Sequence, residues 1–220
     1  MNAVHIRSML ELQASMNAQV NPAWLTAGYP FLRANVVEGG EAMEHHGWKW
    51  WKKQTMDKAQ FAIELIDIWH FTLSHMLVGY QGNFDATTAA IMDNATNDYQ
   101  STGVMFDGVH YTFGAMDTLA RVELLIGLSV SRRISIPLFK TLMYDAGMSD
   151  GDLFRQYIGK NVLNRFRQDN GYKTGTYIKT WNGQEDNVVL AELMDIIPSS
   201  ATYSTELYAE LADRYRSVVE

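Results

Sequence analysis

Glu38 and Glu41 stand three residues apart, and Glu64 and Asp67 repeat that spacing. On helices, each pair would project from one face, so the four carboxylates can converge between two facing helices. Helical bundles build oxygen-rich sites for divalent cations in this way, because the ion relieves the mutual repulsion of the gathered anions. Mg²⁺ is the expected occupant where phosphate oxygens complete the coordination. Acidic pairs at this spacing are also common on solvated helix faces. Glu64 and Asp67, however, lie in ELIDIWHF, where Leu65, Ile66, Ile68, Trp69 and Phe71 leave little purely polar surface. Carboxylates in such a helix need a partner. Glu44 continues the spacing beyond Glu41 and could replace or supplement Glu38.

A second concentration of chemistry runs from Lys160 to Lys179. Five cations (Lys160, Arg165, Arg167, Lys173, Lys179) are opposed there by one acid, Asp169, a local balance of +4 in a chain of net charge −7. Lys160, Asn164 and Arg167 recur at intervals of four and three, so a helix would carry them as one polar stripe able to receive a triphosphate. Leu153, Tyr157 and Phe166 are then packing positions. A basic stripe alone is equally a solvated face, but GYKTGTY follows it, and glycine lets backbone approach phosphate closely. The segment is neither a Walker A loop nor a Rossmann fingerprint, which disfavours a P-loop NTPase. Trp48 and Trp51 have the spacing of packing anchors, His70 that of a core histidine, and His45 and His46 suit a helix C-terminus.

The elements that must position these groups are helical, and the fold class expected is all-α. Apolar spacing predicts a short helix from about Ser8 to Val20, interrupted at Asn21-Pro22, and a second from about Pro30 to His46 that ends at Gly47. Asp57 with Gln60 resembles a capping box and opens a strongly periodic helix to about Val78. Residues 81–114 are rich in Gly, Asn, Asp and Thr; they read as a loop-rich excursion, variable or mobile, with one short helix near Thr87 to Ala95. Helices follow at Met116 to Ser131 and Ser135 to Asp145. Another, capped by Ser149 and Asp152, reaches about Gln168; the last two are Glu185 to Met194 and Tyr203 to Val218. Residues 171–183 are expected to be an ordered loop, and strand-like alternation is nowhere sustained.

The 220 residues, 47% hydrophobic and 20% charged, suit one domain spanning 1–220, with room for a smaller helical subdomain within 81–150. The absence of cysteine excludes disulfides, thiolate metal sites and cysteine nucleophiles, leaving oxygen or imidazole ligands. No uncharged apolar run of about 18 residues occurs, and the N-terminus lacks a secretory pattern, so a soluble cytoplasmic protein is expected. The acidic balance argues against nucleic-acid and membrane partners.

The stretches VEGGEAMEHHGWKWWKK, ELIDIWHF and KNVLNRFRQDNGYKTGTYIKTWNGQEDN resemble the dimeric dUTPases of bacteria, trypanosomatids and tailed phages, within the all-α NTP pyrophosphatase superfamily. The resemblance spans roughly Met9 to Tyr80 and Gly151 to Asn187; the middle matches in helical character alone. It implies that Glu38, Glu41, Glu64 and Asp67 hold Mg²⁺, and Gly39-Gly40 fits the small pair usual within the first motif. LELQASMN resembles the family's first helix, whose glutamine and asparagine face uracil, implying Gln13 and Asn17; an amide can present donor and acceptor together. Trp48, Trp51 and His70 are implied around the deoxynucleoside. Lys160, Asn164, Arg167, Tyr172, Lys173, Lys179 and Asn187 are implied at phosphate or sugar, with Lys52 or Lys53 joining them.

The activity implied is Mg²⁺-dependent hydrolysis of dUTP to dUMP and pyrophosphate, and of dUDP to dUMP and phosphate, by a homodimer. A metal-activated water would attack in line, with Glu41 or Glu38 orienting or deprotonating it. A dCTPase or dual dCTPase/dUTPase on the same scaffold is the nearest rival, because the metal motif does not read the base. KTGTYIKTWNGQEDN favours the dUTPase, since dCTPase-like phage relatives share the preceding KN and RQ residues but not this continuation. A non-catalytic nucleotide-binding helical module is the rival of another class. The Glu-x-x-His ligand pairs of a di-iron oxidase are not seen on the capped helix or its long successors.

Overall fold

The computed structural model describes residues 1–96, 102–198, 200 and 202–219. Among these, nine α-helices form the architecture, and the all-α class holds. They are α1 (Ala3–Val20), α2 (Phe31–His46), α3 (Lys58–Gly79), α4 (Phe84–Thr96), α5 (Thr118–Val130), α6 (Ile136–Asp145), α7 (Asp150–Asp169), α8 (Asp186–Ile196) and α9 (Tyr203–Val219). Two small antiparallel ladders interrupt them: β1 (Gly103–Phe106) with β2 (Val109–Thr112), and β3 (Thr180–Trp181) with β4 (Gln184–Glu185).

Local chemistry sets most helix ends. Asn2 caps α1 by accepting from the His5 amide, so the helix starts five residues before its clearest apolar spacing. Gly47 closes α2 at φ +85°, in the left-handed region that glycine adopts at no steric cost. The Asp57 side chain accepts from the Gln60 amide at the start of α3. Ser149 and Asp152 form a complete capping box on α7.

The expected excursion at 81–114 has more order than its composition suggests. Helix α4 begins at Phe84, ahead of Thr87, and the β1–β2 hairpin follows. Asp107 and Gly108, at φ +49° and +75°, occupy the connecting turn, where two positive φ values match the twist of the flanking strands. These four-residue strands are too short to establish a sustained alternation, which is why the sequence does not announce them. The mobility expected of residues 97–101 lies outside the described residues.

Helix α3 is long and apolar enough to cross a membrane, yet it is the central helix of this bundle, packed by α1, α2, α4, α6 and α7. Its Phe61, Leu65, Ile68, Trp69, Leu73 and Leu77 join a core that also takes Ile91, Phe113, Val122 and Leu142. A second cluster, including Leu163, Phe166, Trp181, Leu190, Leu207 and Tyr215, gathers the C-terminal half of α7 with β3, α8 and α9. Helix α7 is thus the spine shared by both. Two glycines set close approaches between helices. A Cβ at Gly39 would lie 2.6 Å from Ile126 Cγ1, so its absence lets α2 lie against α5, and one at Gly159 would collide with Met194 of α8. A Cβ at Gly40 meets nothing within 4 Å, so packing explains one member of the glycine pair.

Candidate active site

A cleft of about 680 Å³ lies between α2 and α3 on one side and α7, β4 and the start of α8 on the other. Glu38, Glu41 and Glu64 meet there, with oxygen atoms all within 4.8 Å of one another. Glu64 is buried, Glu38 half-buried and Glu41 exposed at the mouth. Asp67 lines the same cleft, but Lys160 holds it, Nζ to Oδ2 at 2.8 Å. Lys160 itself is 3% exposed and also donates to Asn187 Oδ1 at 2.8 Å. The imidazole of His45, expected only to close α2, reaches the cluster, with Nε2 3.4 Å from Glu64 Oε1.

Burial, then the charges of Asp67 and Glu41, push the Glu38 carboxyl up to about 7; a hydrogen bond with Glu64 and the charge of Lys160 oppose the rise. Burial and the charge of Asp67 likewise push Glu64 up to about 8, against the pull of Lys160. An all-carboxylate set is what a hard divalent cation takes, and the crowding of like charge is what such an ion removes.

A second cavity, of about 370 Å³, adjoins the first and shares Glu38, Asp67, Arg167 and Tyr172 with it. Gln13, Asn17 and His70 form its far wall. A directional relay fixes them: Ser74 Oγ donates to the His70 carbonyl, Asn17 Nδ2 to Ser74 Oγ, and Gln13 Nε2 to Asn17 Oδ1, each at 3.0 Å. Gln13 Oε1 lies 2.7 Å from His70 Nδ1 and 2.8 Å from the Tyr157 hydroxyl. A carbonyl oxygen cannot donate, so Nδ1 carries the imidazole proton and Nε2 remains a bare acceptor, buried with no protein partner. Burial, with help from Lys160, lowers the His70 pKa to about 4, against the opposing charge of Asp67, and keeps the ring neutral. Tyr157 stacks on that ring at 4.1 Å. The relay also separates the two amides. Gln13 Oε1 has its lone pairs engaged, whereas Asn17 retains one N–H and one lone pair for a ligand.

The cationic wall is tightly tied. Arg167 forks onto Asp186 through Nε and Nη2, both at 2.8 Å, and reaches Asn164 Oδ1 through Nη1 at 3.2 Å. Lys179 lines the cleft from its exposed side, 3.4 Å from Glu185. Tyr172 stands at the junction of the two cavities, with the Arg167 guanidinium 5.9 Å from its ring centroid.

The model of the dUTPase family matches residues 5–172. The chain belongs to the dUTPase family. Among curated proteins, none matches it. The family is the all-α, dimeric type, and its activity is the hydrolysis of dUTP. Members use a divalent metal, for which the acidic cluster is the candidate site.

Set against that family, the structure brings together Glu38, Glu41, Glu64, Asp67, Lys160, Arg167, Tyr172, Lys179 and Asn187 in one cleft. It gathers Gln13, Asn17, His70 and Asn164 around the adjoining cavity. Trp48, Trp51, Lys52 and Lys53 line neither cavity. Trp48 donates to Glu44, and Trp50 and Trp51 pack edge-to-face on each other while 86% and 58% exposed. Lys173 lines neither cavity, although it donates to the carbonyl of Val20 at the edge of the second. Arg165, counted in the basic cluster, points to the opposite side of α7, over Tyr208. Asp186, Tyr177 and His45 were missed by sequence reasoning. The cation excess at 160–179 called for counter-anions, and Asp186 is the one that Arg167 takes.

The raised carboxyls predict a pH effect. Their ordinary value is 4.5, so the folded dUTPase-family chain binds protons that the unfolded chain has already released at pH 5–7. The stability this confers is whole below about pH 4.5 and is lost as pH rises through 7 to 8. In EDTA, the melting temperature should fall between pH 5 and 8.5, and a divalent cation should add most stability at the upper end. Melting curves across that range test this; a flat profile in EDTA would deny the coupling.

Proposed function

We propose that the chain catalyses Mg²⁺-dependent hydrolysis of dUTP to dUMP and pyrophosphate, and of dUDP to dUMP and phosphate, as a homodimer. The observation that carries this reading is the junction of two cavities: three carboxylates within 4.8 Å face a wall of Lys160, Arg167 and Lys179, beside a pocket with a fixed Asn17 amide. Both substrates break at the bond between the α- and β-phosphates, so one constellation serves both. The dimer is supported by the dimeric type of the family.

Glu38, Glu41 and Glu64, with Asp67 beside them, would hold the cation. When bound, it supplies Lewis-acid polarisation of phosphoryl oxygens and a lower pKa for water. Glu41, the exposed member of the cluster, is placed to orient the attacking water and take its proton. Lys160, Arg167 and Lys179 stabilise charge on the attacked and departing phosphates. Asn17 reads the base edge with its free donor and acceptor, and the bare His70 Nε2 suits an imino or hydroxyl donor of the nucleoside.

Nucleoside monophosphate release from dUTP, dUDP, dCTP and dTTP, each with Mg²⁺ and with EDTA, tests the reading. Turnover confined to uracil nucleotides and abolished by EDTA is expected; comparable dCTP turnover would replace it with the dual-specificity rival, and Mg²⁺-independent turnover would remove the metal assignment. Asn17→Ala should lower kcat/KM for dUTP about 10²-fold, because the base edge loses paired polar contacts in a desolvated site. An unchanged ratio of dUTP to dCTP turnover in that variant would exclude Asn17 as the base reader.

A further inference from the structure

The C-terminal segment beyond residue 172, where the family match ends, holds one dipeptide that touches all three cleft cations. Asp186 is completely buried, although aspartate is a residue that water normally keeps at the surface. Its carboxylate accepts two hydrogen bonds from the Arg167 fork and one from the Tyr177 hydroxyl at 2.8 Å. Its amide donates to the Lys179 carbonyl at 3.0 Å, closing the base of the β3–β4 ladder. Its neighbour Asn187 accepts from Lys160 at 2.8 Å and from Arg167 at 3.4 Å. The Arg167 fork leaves Nη1 with Asn164 as its side-chain contact.

A bidentate guanidinium–carboxylate pair fixes a plane as well as a distance. We propose that Asp186, steadied by Tyr177, is the positioning residue for the cationic wall: its carboxylate sets the plane of Arg167 before substrate arrives. The segment after residue 172 is then part of the catalytic apparatus, and it acts through residues on α7. This rests on the reading of the cleft as the place of the nucleotide's phosphates. The second hydrophobic cluster supplies the rigidity, since Tyr177 packs on Tyr215 at 5.2 Å and Trp181 is buried in the same group.

The test is a double-mutant cycle on the full chain, with dUTP hydrolysis followed at saturating Mg²⁺. Asp186→Asn keeps the shape of the site and removes the charge that orients the fork. It should lower kcat/KM about 10²-fold, the scale of a displacement near 1 Å in a reactive geometry, with kcat falling more than KM rises. In an Arg167→Met background the same substitution should cost nothing further, because its effect passes through the guanidinium. Mn²⁺ binding by calorimetry should match the parent, since Asp186 touches none of the four carboxylates. Tyr177→Phe should give a loss of about fivefold with Arg167 present and none without it; this arm decides the matter if Asp186→Asn does not fold. Additive losses across the cycle, or full activity in Asp186→Asn beside an impaired Arg167→Met, overturn the proposal. Parent-like activity in Arg167→Met would overturn the phosphate reading of the cleft itself, and the positioning role with it.

Discussion

Replacing Glu64 by glutamine is expected to lower dUTP hydrolysis about 10³-fold or more while raising the melting temperature of the metal-free protein. The two effects have one cause. Glu64 is the most deeply buried member of the acidic cluster, within 4.8 Å of Glu38 and Glu41, and burial with the charge of Asp67 raises its pKa. Like charges at that separation repel by about 3–4 kcal/mol at an effective dielectric constant near 20. An amide of the same shape removes the repulsion and the desolvated charge, and it also removes the anionic oxygens a divalent cation needs. The gain should depend on pH, because Glu64 resembles glutamine in both the folded and unfolded chain only below its ordinary value of 4.5, whereas above it the unfolded carboxyl ionises and the folded one resists until about 8. At pH 4 in EDTA, parent and variant should melt together; the gap should open as pH rises through 5 to 8, and at pH 9 the variant should melt a few degrees higher. Activity and melting curves on the same preparations separate the cases. Loss of both activity and stability would mean a packing defect at Glu64, and retained activity would remove Glu64 from the cation site.

The features legible in the sequence were local ones. The spacing of Glu38 with Glu41 and of Glu64 with Asp67 needs only helical geometry to put each pair on one face, and the caps at Asp57 and Ser149 fix where α3 and α7 begin. Gln13 and Asn17, four residues apart on α1, share a wall for the same reason. The partnerships that finish the site were not local. Asp67 meets Lys160 from α7, and Arg167 meets Asp186 across the turn, ladder and loop of residues 170–185. No periodicity connects such positions. His45 illustrates a related limit: its place at the end of α2 was readable, whereas its reach to Glu64 depends on how α2 lies against α3.

The aromatic and strand features were hidden for other reasons. Helical spacing in GWKWWKK fits buried anchors as well as surface rings, because spacing carries no information about what lies opposite. Trp50 and Trp51 face solvent and one another. The β1–β2 hairpin did carry a signal, Asp107-Gly108 between apolar residues, which specifies a tight turn before any strand alternation is long enough to see. Arg165 shows how charge counting misleads. It adds to the basic excess of its segment, yet a helix sends neighbouring residues to different faces, and Arg165 lies away from the cleft that Lys160 and Arg167 line.

Lys160 should behave as the mirror image of Glu64. It is the one lysine or arginine bonded to the acidic cluster among the described residues, 3% exposed and held between Asp67 and Asn187. Lys160→Met keeps the apolar stem and deletes the charge, leaving Asp67 beside Glu38 and Glu64 with no counter-ion. Removing one partner of a buried pair costs about 3–5 kcal/mol, and the partial exposure of Asp67 brings the expectation down to about 2–4 kcal/mol, or roughly 5–10 °C in melting temperature for a chain of this length. Hydrolysis should fall about 10²–10³-fold, because the phosphates lose a desolvated donor aimed at developing charge. A divalent cation separates these two roles. It supplies positive charge to the carboxylates and should restore the melting temperature, but it cannot replace a donor on the opposite wall, so turnover should remain low in a fully loaded, stable protein. Recovery of turnover along with stability at saturating cation would mean that Lys160 serves only to neutralise Asp67, and the phosphate role would pass to Arg167 and Lys179 alone.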